Sequence, residues 1–141
     1  MSQHNIRYKA SYKYQLFRSY EVDCGILPAE GVVTDFIELD TEGWLTIKKG
    51  YAWDGPSGPV QDTNETMRAS LVHDALYQLM RLEYLSTRTH RKPADKLFKQ
   101  MCREDGVSNF WAHQFYKGLR KFGKPAASPQ NKRRVHSAPT G

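Results

Sequence analysis

The apolar residues change their period halfway along the chain. Before residue 50 they alternate with polar ones, and after residue 62 they recur at helical spacing. Alternation lines one face of a strand, whereas the longer period lines one face of a helix. Between the two halves stands GYAWDGPSGP, residues 50–59, with three glycines and two prolines. Such a stretch can be neither a regular helix nor a central strand. Yet it carries Tyr51, Trp53 and Asp54, which are costly residues for a mere connector. The chain is therefore expected to be α+β, a small antiparallel sheet followed by about three packed helices.

In the first half, YKYQLF sets Tyr12, Tyr14 and Leu16 against lysine and glutamine, and SYEVDCGI sets Tyr20, Val22 and Cys24 against acids. VVTDFIEL and WLTIKKG continue the pattern on either side of DTEG, a turn sequence ending in glycine. Three to five strands are expected. In the second half, Asp62 and Glu65 have the spacing of a capping box. From there to about Arg81 the chain should form a largely buried helix. A second helix is expected from Pro93 to Gly106, with Leu97, Phe98, Met101 and Cys102 inward. A third, capped by Ser108 and stopped by Gly123, should pack Trp111, Ala112, Phe115, Leu119 and Phe122 into the core.

A chain of 141 residues fits one domain, assigned to 1–123. Residues 124–141 are rich in Pro, Ser and Ala and have no period, so they are expected to be a disordered basic tail. That tail, with Lys124, Lys132, Arg133 and Arg134 and no acid, holds most of the net charge of +6. The body is too nearly neutral for a phosphate-backbone binder, and the tail suggests at most contact with an anionic surface. No run of about 18 apolar residues exists to span a membrane. The polar N-terminus has no apolar core of a signal peptide. Cys24 and Cys102 lack metal or redox spacing and should be small buried hydrophobes.

Chemistry concentrates around His73. His73 and Tyr77 are one turn apart on the first helix and share a face, while Asp74 points about 100° away. A histidine at a core edge beside a carboxylate is a candidate general base and also a common structural feature. Asp95, at the edge of the second helix's apolar arc, would reach His73 if the two helices pack antiparallel. A carboxylate there would fix the imidazole tautomer. It could equally be a surface acid in a first helical turn. The glycines of WDGPSG allow carbonyls to turn inward, which suits a hard cation such as Ca²⁺ with one carboxylate, and a loop N–H could serve an oxyanion.

Loop and helix together resemble the phospholipase A2 active site. WDGPSG stands at the calcium-loop position, HDALY follows at the family's spacing, and ADKLF is similar to its second-helix Asp motif. The resemblance implies that His73 activates a water and Asp95 orients it, with Tyr77 bonding the Asp95 carboxylate. It implies a calcium site at Asp74 with the carbonyls of Trp53, Gly55 and Ser57, and an oxyanion contact from the Gly55 N–H. A second resemblance covers residues 8–123. YKYQL, GYAWDGPSGP, ASLVHDALYQLMR and ADKLF, in that order, are similar to a tailed-phage and prophage family of unknown function, of the DUF1353 type.

Two functions follow as expectations. One is a phage-encoded hydrolase acting on a lipid or other ester. The other is a non-enzymatic virion or host-interaction module, in which Asp54, His73, Asp74 and Asp95 form a structural network and the partner is a phage or host protein. Either would work in the host cytoplasm or on the virion. Peptidoglycan chemistry, suggested only by phage origin, is weaker. An HD-type phosphohydrolase needs a histidine well upstream, where only His4 stands. His90 and His113 are too dispersed for zinc, and neither a phosphate loop nor a nucleophile elbow around Ser57 or Ser70 is present.

Overall fold

The computed structural model describes residues 8–9, 14–53 and 63–129. They fall into two compact units, one of strands up to residue 53 and one of helices from residue 63. The α+β expectation holds, with antiparallel sheets in the first half and three long helices in the second.

The strands are shorter and more numerous than the alternation suggested. β1 (Tyr8–Lys9), β2 (Tyr14–Leu16) and β7 (Ala52–Trp53) form one sheet in the order β1-β2-β7. β3 (Tyr20–Asp23), β4 (Val32–Val33), β5 (Ile37–Leu39) and β6 (Trp44–Ile47) form the other, in the order β3-β6-β5-β4. The alternation in β3 is real, since Tyr20 and Val22 are buried and Glu21 and Asp23 are exposed. VVTDFIEL breaks in two because Thr34 makes a local turn, its hydroxyl accepting from Ile37 N–H at 3.0 Å. Opposite it, the Asp40 carboxylate accepts from Glu42 and Trp44 N–H at 2.9 Å each and holds the β5–β6 turn. Gly43 closes that turn at φ +89°, where a Cβ would meet the Gly25 backbone at 3.2 Å. Ile37, Leu39, Leu45 and Ile47 make the sheet's buried face.

The opening of the glycine-rich stretch belongs to this unit. Tyr51, Ala52 and Trp53 are buried, and β7 pairs Trp53 with Tyr14 at the edge of its sheet. The Trp53 ring lies 5.4 Å from Tyr14 and 6.4 Å from Tyr51. Its aromatic residues are therefore core residues, placed before the connector rather than in it.

α1 spans Asn64–Arg81. Its cap is Thr63, not Asp62, whose position lies outside the described residues. The Thr63 N–H donates to the Thr66 hydroxyl at 3.1 Å. α2 spans Thr87–Glu104, one and a half turns longer at its start than Pro93 implied. Ser86 caps it, accepting from Thr89 N–H at 3.3 Å. Pro93 lies within the second turn and costs only the bond to the Thr89 carbonyl. α2 ends in a Schellman motif, with Gly106 at φ +110° and Val107 N–H bonded to the Cys102 carbonyl at 2.9 Å.

α3 (Asn109–Phe122) is capped by Ser108 as expected, and Gly123 follows it. Its inward face is narrower than expected. Ala112, Phe115 and Leu119 are buried, but Trp111 and Phe122 are exposed. At about 100° per residue the latter two fall on the flank of that face rather than at its centre. The segment read as tail begins with a short helix, α4 (Lys124–Ala127), whose Ala127 is buried and whose Ala126 carbonyl accepts from Arg81 at 2.6 Å. Residues 130–141 lie outside the described residues. No described helix is long and apolar enough to cross a membrane. Both cysteines are buried, and burial pushes the thiols up to about 11 at Cys24 and about 12 at Cys102.

The Ser86 cap distinguishes the two possible starts of α2. Ser86→Ala should cost about 1 kcal/mol in urea unfolding. A helix that began at Pro93 would leave that measurement unchanged.

Candidate functional site

α1 and α2 run antiparallel, as three side-chain pairs show. Going along α1 from Arg68 to His73 to Tyr77, the α2-side partners run backwards from Asp105 to Asp95 to Arg91. The buried Arg68 guanidinium donates to both Asp105 oxygens at 2.9 and 3.1 Å and to Glu104 at 2.7 Å. This fork fixes the far end of the helix pair and so sets the register that brings 73 opposite 95.

Asp95 is the centre of the site. Its residue is 0% exposed, on an inner face made by Arg91, Ala94, Asp95, Phe98, Met101 and Cys102. It therefore stands in the middle of the buried face, not at its edge, because α2 rotates toward Ala94 and Arg91 and leaves Leu97 half-buried. One carboxylate oxygen pairs with His73 Nε2 at 2.7 Å and accepts from the Tyr77 hydroxyl at 2.6 Å. The other accepts from Arg120 Nη1 at 2.7 Å. The phenolic oxygen of Tyr77 in turn accepts from Arg91 Nε at 3.1 Å. Arg91 also donates to the Leu119 and Arg120 carbonyls, at 2.6 and 3.1 Å, where α3 ends. Three helices thus meet on one carboxylate. His73 is packed by the Tyr77 ring at 4.0 Å and the edge of Phe98 at 5.4 Å.

Burial alone would raise the Asp95 carboxyl. The hydrogen bond and charge of His73, with the bonds from Tyr77 and Arg120, outweigh it and hold the group below its ordinary 3.8. Burial, then the Asp95 charge, pushes the Tyr77 phenol above its ordinary 10. An ionised Asp95 requires a proton on His73 Nε2. In the neutral ring that tautomer carries its lone pair on Nδ1, to which no described residue hydrogen-bonds.

The structure brings together His73, Tyr77 and Asp95, three of the residues singled out from sequence. It adds Arg91 and Arg120, which sequence reasoning missed. The one local signal was the i, i+4 spacing of Arg91 and Asp95. Asp54, Gly55 and Ser57 lie outside the described residues. Trp53 is in β7, and Asp74 is half-buried on α1. Among the described residues no group of three or more His, Cys, Asp or Glu is placed to hold a metal. The one described carboxylate of the calcium set, Asp74, does not by itself make a cation site.

A family model described as a protein of unknown function (DUF1353) matches residues 30–119. The chain belongs to the DUF1353 family. The family match includes His73, Tyr77, Arg91 and Asp95 and stops one residue short of Arg120. No curated protein and no solved structure matches the chain.

Two predictions follow from this geometry. Asp95 has its lower pKa in the folded state, so it stabilises the fold above pH 3.8 and loses that effect as pH falls through the folded value. Tyr77 works oppositely, its contribution complete below pH 10 and lost as pH rises through the folded value. Thermal midpoints should therefore form a plateau with an acid and an alkaline limb, and Asp95→Asn should lower the plateau, cost about 3–5 kcal/mol in urea unfolding and flatten the acid limb. The second concerns Gly123, where a Cβ would lie 2.6 Å from the Leu119 carbonyl oxygen and 2.8 Å from the Tyr77 hydroxyl. Gly123→Ala should cost about 1–3 kcal/mol in urea unfolding, because the atoms it meets are already engaged by Arg91.

Proposed function

We propose that the chain is a phage-encoded ester hydrolase with His73 as its general base. The observation that carries this reading is the 2.7 Å contact between His73 Nε2 and a fully buried, ionised Asp95. In the neutral ring that contact puts the basic lone pair on Nδ1, the nitrogen with no described partner. In the proposed reaction Nδ1 takes a proton from water, and the resulting hydroxide adds to the ester carbonyl carbon. The carbon–oxygen bond to the leaving alcohol then breaks, and the imidazolium returns the proton to that alcohol. Asp95 stays ionised throughout and orients the ring, while Tyr77 and Arg120 hold the carboxylate in place.

The similarity to phospholipase A2 makes a lipid ester the first substrate to try. Calcium would supply a Lewis acid for the carbonyl oxygen, and the resemblance assigns its binding to Asp74 and the carbonyls of Trp53, Gly55 and Ser57. The Gly55 N–H has the oxyanion role by the same resemblance. The place of action proposed is the host cytoplasm or the virion, in keeping with similarity to phage proteins.

One observation favours a second reading. Asp95 takes three donors from two other helices, at least one on each oxygen, as expected of a network whose task is to lock helices together. On that reading the chain is a non-enzymatic virion or host-interaction module.

Assays on short-chain phosphatidylcholine and nitrophenyl esters, with calcium and with chelator, separate the two. The hydrolase reading expects turnover that falls by about 10²-fold or more in His73→Ala, with a cooperative melt retained. No turnover by the parent chain, or equal turnover by the variant, would discard it. A large fall in the variant's midpoint in a protein that turns over no ester would support the structural reading.

A further inference from the structure

No acid follows Asp105, so the net charge of +6 comes entirely from the residues after it. Among those residues α3 is the longest helix, and it contains no Asp or Glu. Its inward residues are few, and it leaves large aromatic rings in solvent. Phe110 is 62% exposed, Trp111 56% and Phe122 63%. Phe110 and Trp111 meet edge to face at 5.2 Å, and Lys121 Nζ lies 5.4 Å from the Phe122 ring centre. Lys117 and Lys121 are exposed on the same side as Phe110. Trp111 and Phe122 lie on one flank, three turns or roughly 16 Å apart. The solvent-facing surface is thus a basic face with Phe110, Lys117 and Lys121, adjoined roughly 100° round the helix by a flank that carries the Trp111 and Phe122 rings.

We propose that this exposed surface of α3, the basic face together with its aromatic flank, docks on an anionic lipid surface. The rings would enter the interface and the two ammonium groups would meet the headgroups, as on a basic amphipathic helix lying in a bilayer surface. The charge chooses among occupants. A second copy of α3 would bring lysines against lysines with no acid to meet them. A protein partner would have to bury lysines, which interface cores disfavour. Single-stranded nucleic acid needs a groove that tracks the backbone, and one convex helix offers none. The inference does not depend on the ester-hydrolase reading, because none of these side chains bonds to Asp95 or His73.

Cosedimentation of the full chain with vesicles tests it, using phosphatidylcholine alone and phosphatidylcholine with phosphatidylglycerol. The expected result is pelleting with the anionic vesicles only, weakened by added salt. Trp111→Ala/Phe122→Ala and Lys117→Glu/Lys121→Glu should each weaken that binding about tenfold or more. Both variants should keep a cooperative melt with a modestly lowered midpoint, since all four side chains are more than a third exposed. The proposal is overturned by no pelleting or by equal pelleting with neutral vesicles. It is also overturned if both variants bind as tightly as the parent, which would move the contact to residues 130–141. Self-association that Trp111→Ala abolishes, or a preference for single-stranded DNA over vesicles, would overturn it too.

Discussion

The helical unit depends on one buried carboxylate. An ionised acid cut off from water costs several kcal/mol unless its oxygens are fully bonded. Asp95 meets that condition with donors from both neighbouring helices, His73 and Tyr77 on α1 and Arg120 on α3. The requirement is geometric as well as energetic. A slip of α1 by one residue would carry His73 and Tyr77 off the carboxylate together, since they sit a turn apart. The Arg68 fork to Asp105 would break in the same slip. The apolar contacts of α1 and α2 could tolerate other registers, but the polar ones cannot.

Arg91 extends the constraint to the end of α3. It places a guanidinium against the Leu119 and Arg120 carbonyls, where a helix C-terminus carries partial negative charge. Arg120 meets the carboxylate itself, and Arg91, one bond further out on the Tyr77 hydroxyl, is met by the helix end, so neither is an uncompensated buried cation. The same bond holds Arg120 beside Asp95, since the carbonyl that Arg91 grips belongs to the residue whose side chain reaches the carboxylate. Gly123 is small for the same reason, being wedged among the Leu119 carbonyl, Tyr77 and Arg91. Catalytic and structural readings of His73 share all of this. They differ only at Nδ1, to which no described residue hydrogen-bonds.

Local pattern revealed what local pattern determines. The alternation of Tyr20 and Val22 gave the buried face of β3, and the helical spacing of His73 and Tyr77 put them on one face. Asp95 could be tied to His73 only on the assumption of antiparallel helices. The start of α2 was misplaced because Pro93 is a strong first-turn signal, while Ser86, a better cap, precedes a polar run, TRTHRK, with no apolar period. Arg68, Arg91 and Arg120 were missed for another reason. Their partners are 14 to 37 residues away, and no window of sequence records such a pairing. An arginine amid the apolar residues of α1 was the visible trace of one of them.

α3 shows why its two faces can be treated separately. Inward it contributes Ala112, Phe115 and Leu119 to packing, and its last turn offers the carbonyls and the Arg120 side chain that the Asp95 network uses. Outward it carries Phe110, Lys117 and Lys121, which take no part in that network. Trp111 and Phe122 lie between, too far round the helix to be covered by α2 and too large to be hidden by α3 alone. Trp111 still touches the core through Phe115, its ring centre 6.2 Å away, but more than half of each ring is left in solvent. Water is an unfavourable place for them, so their presence is better accounted for by a surface that meets α3 from outside.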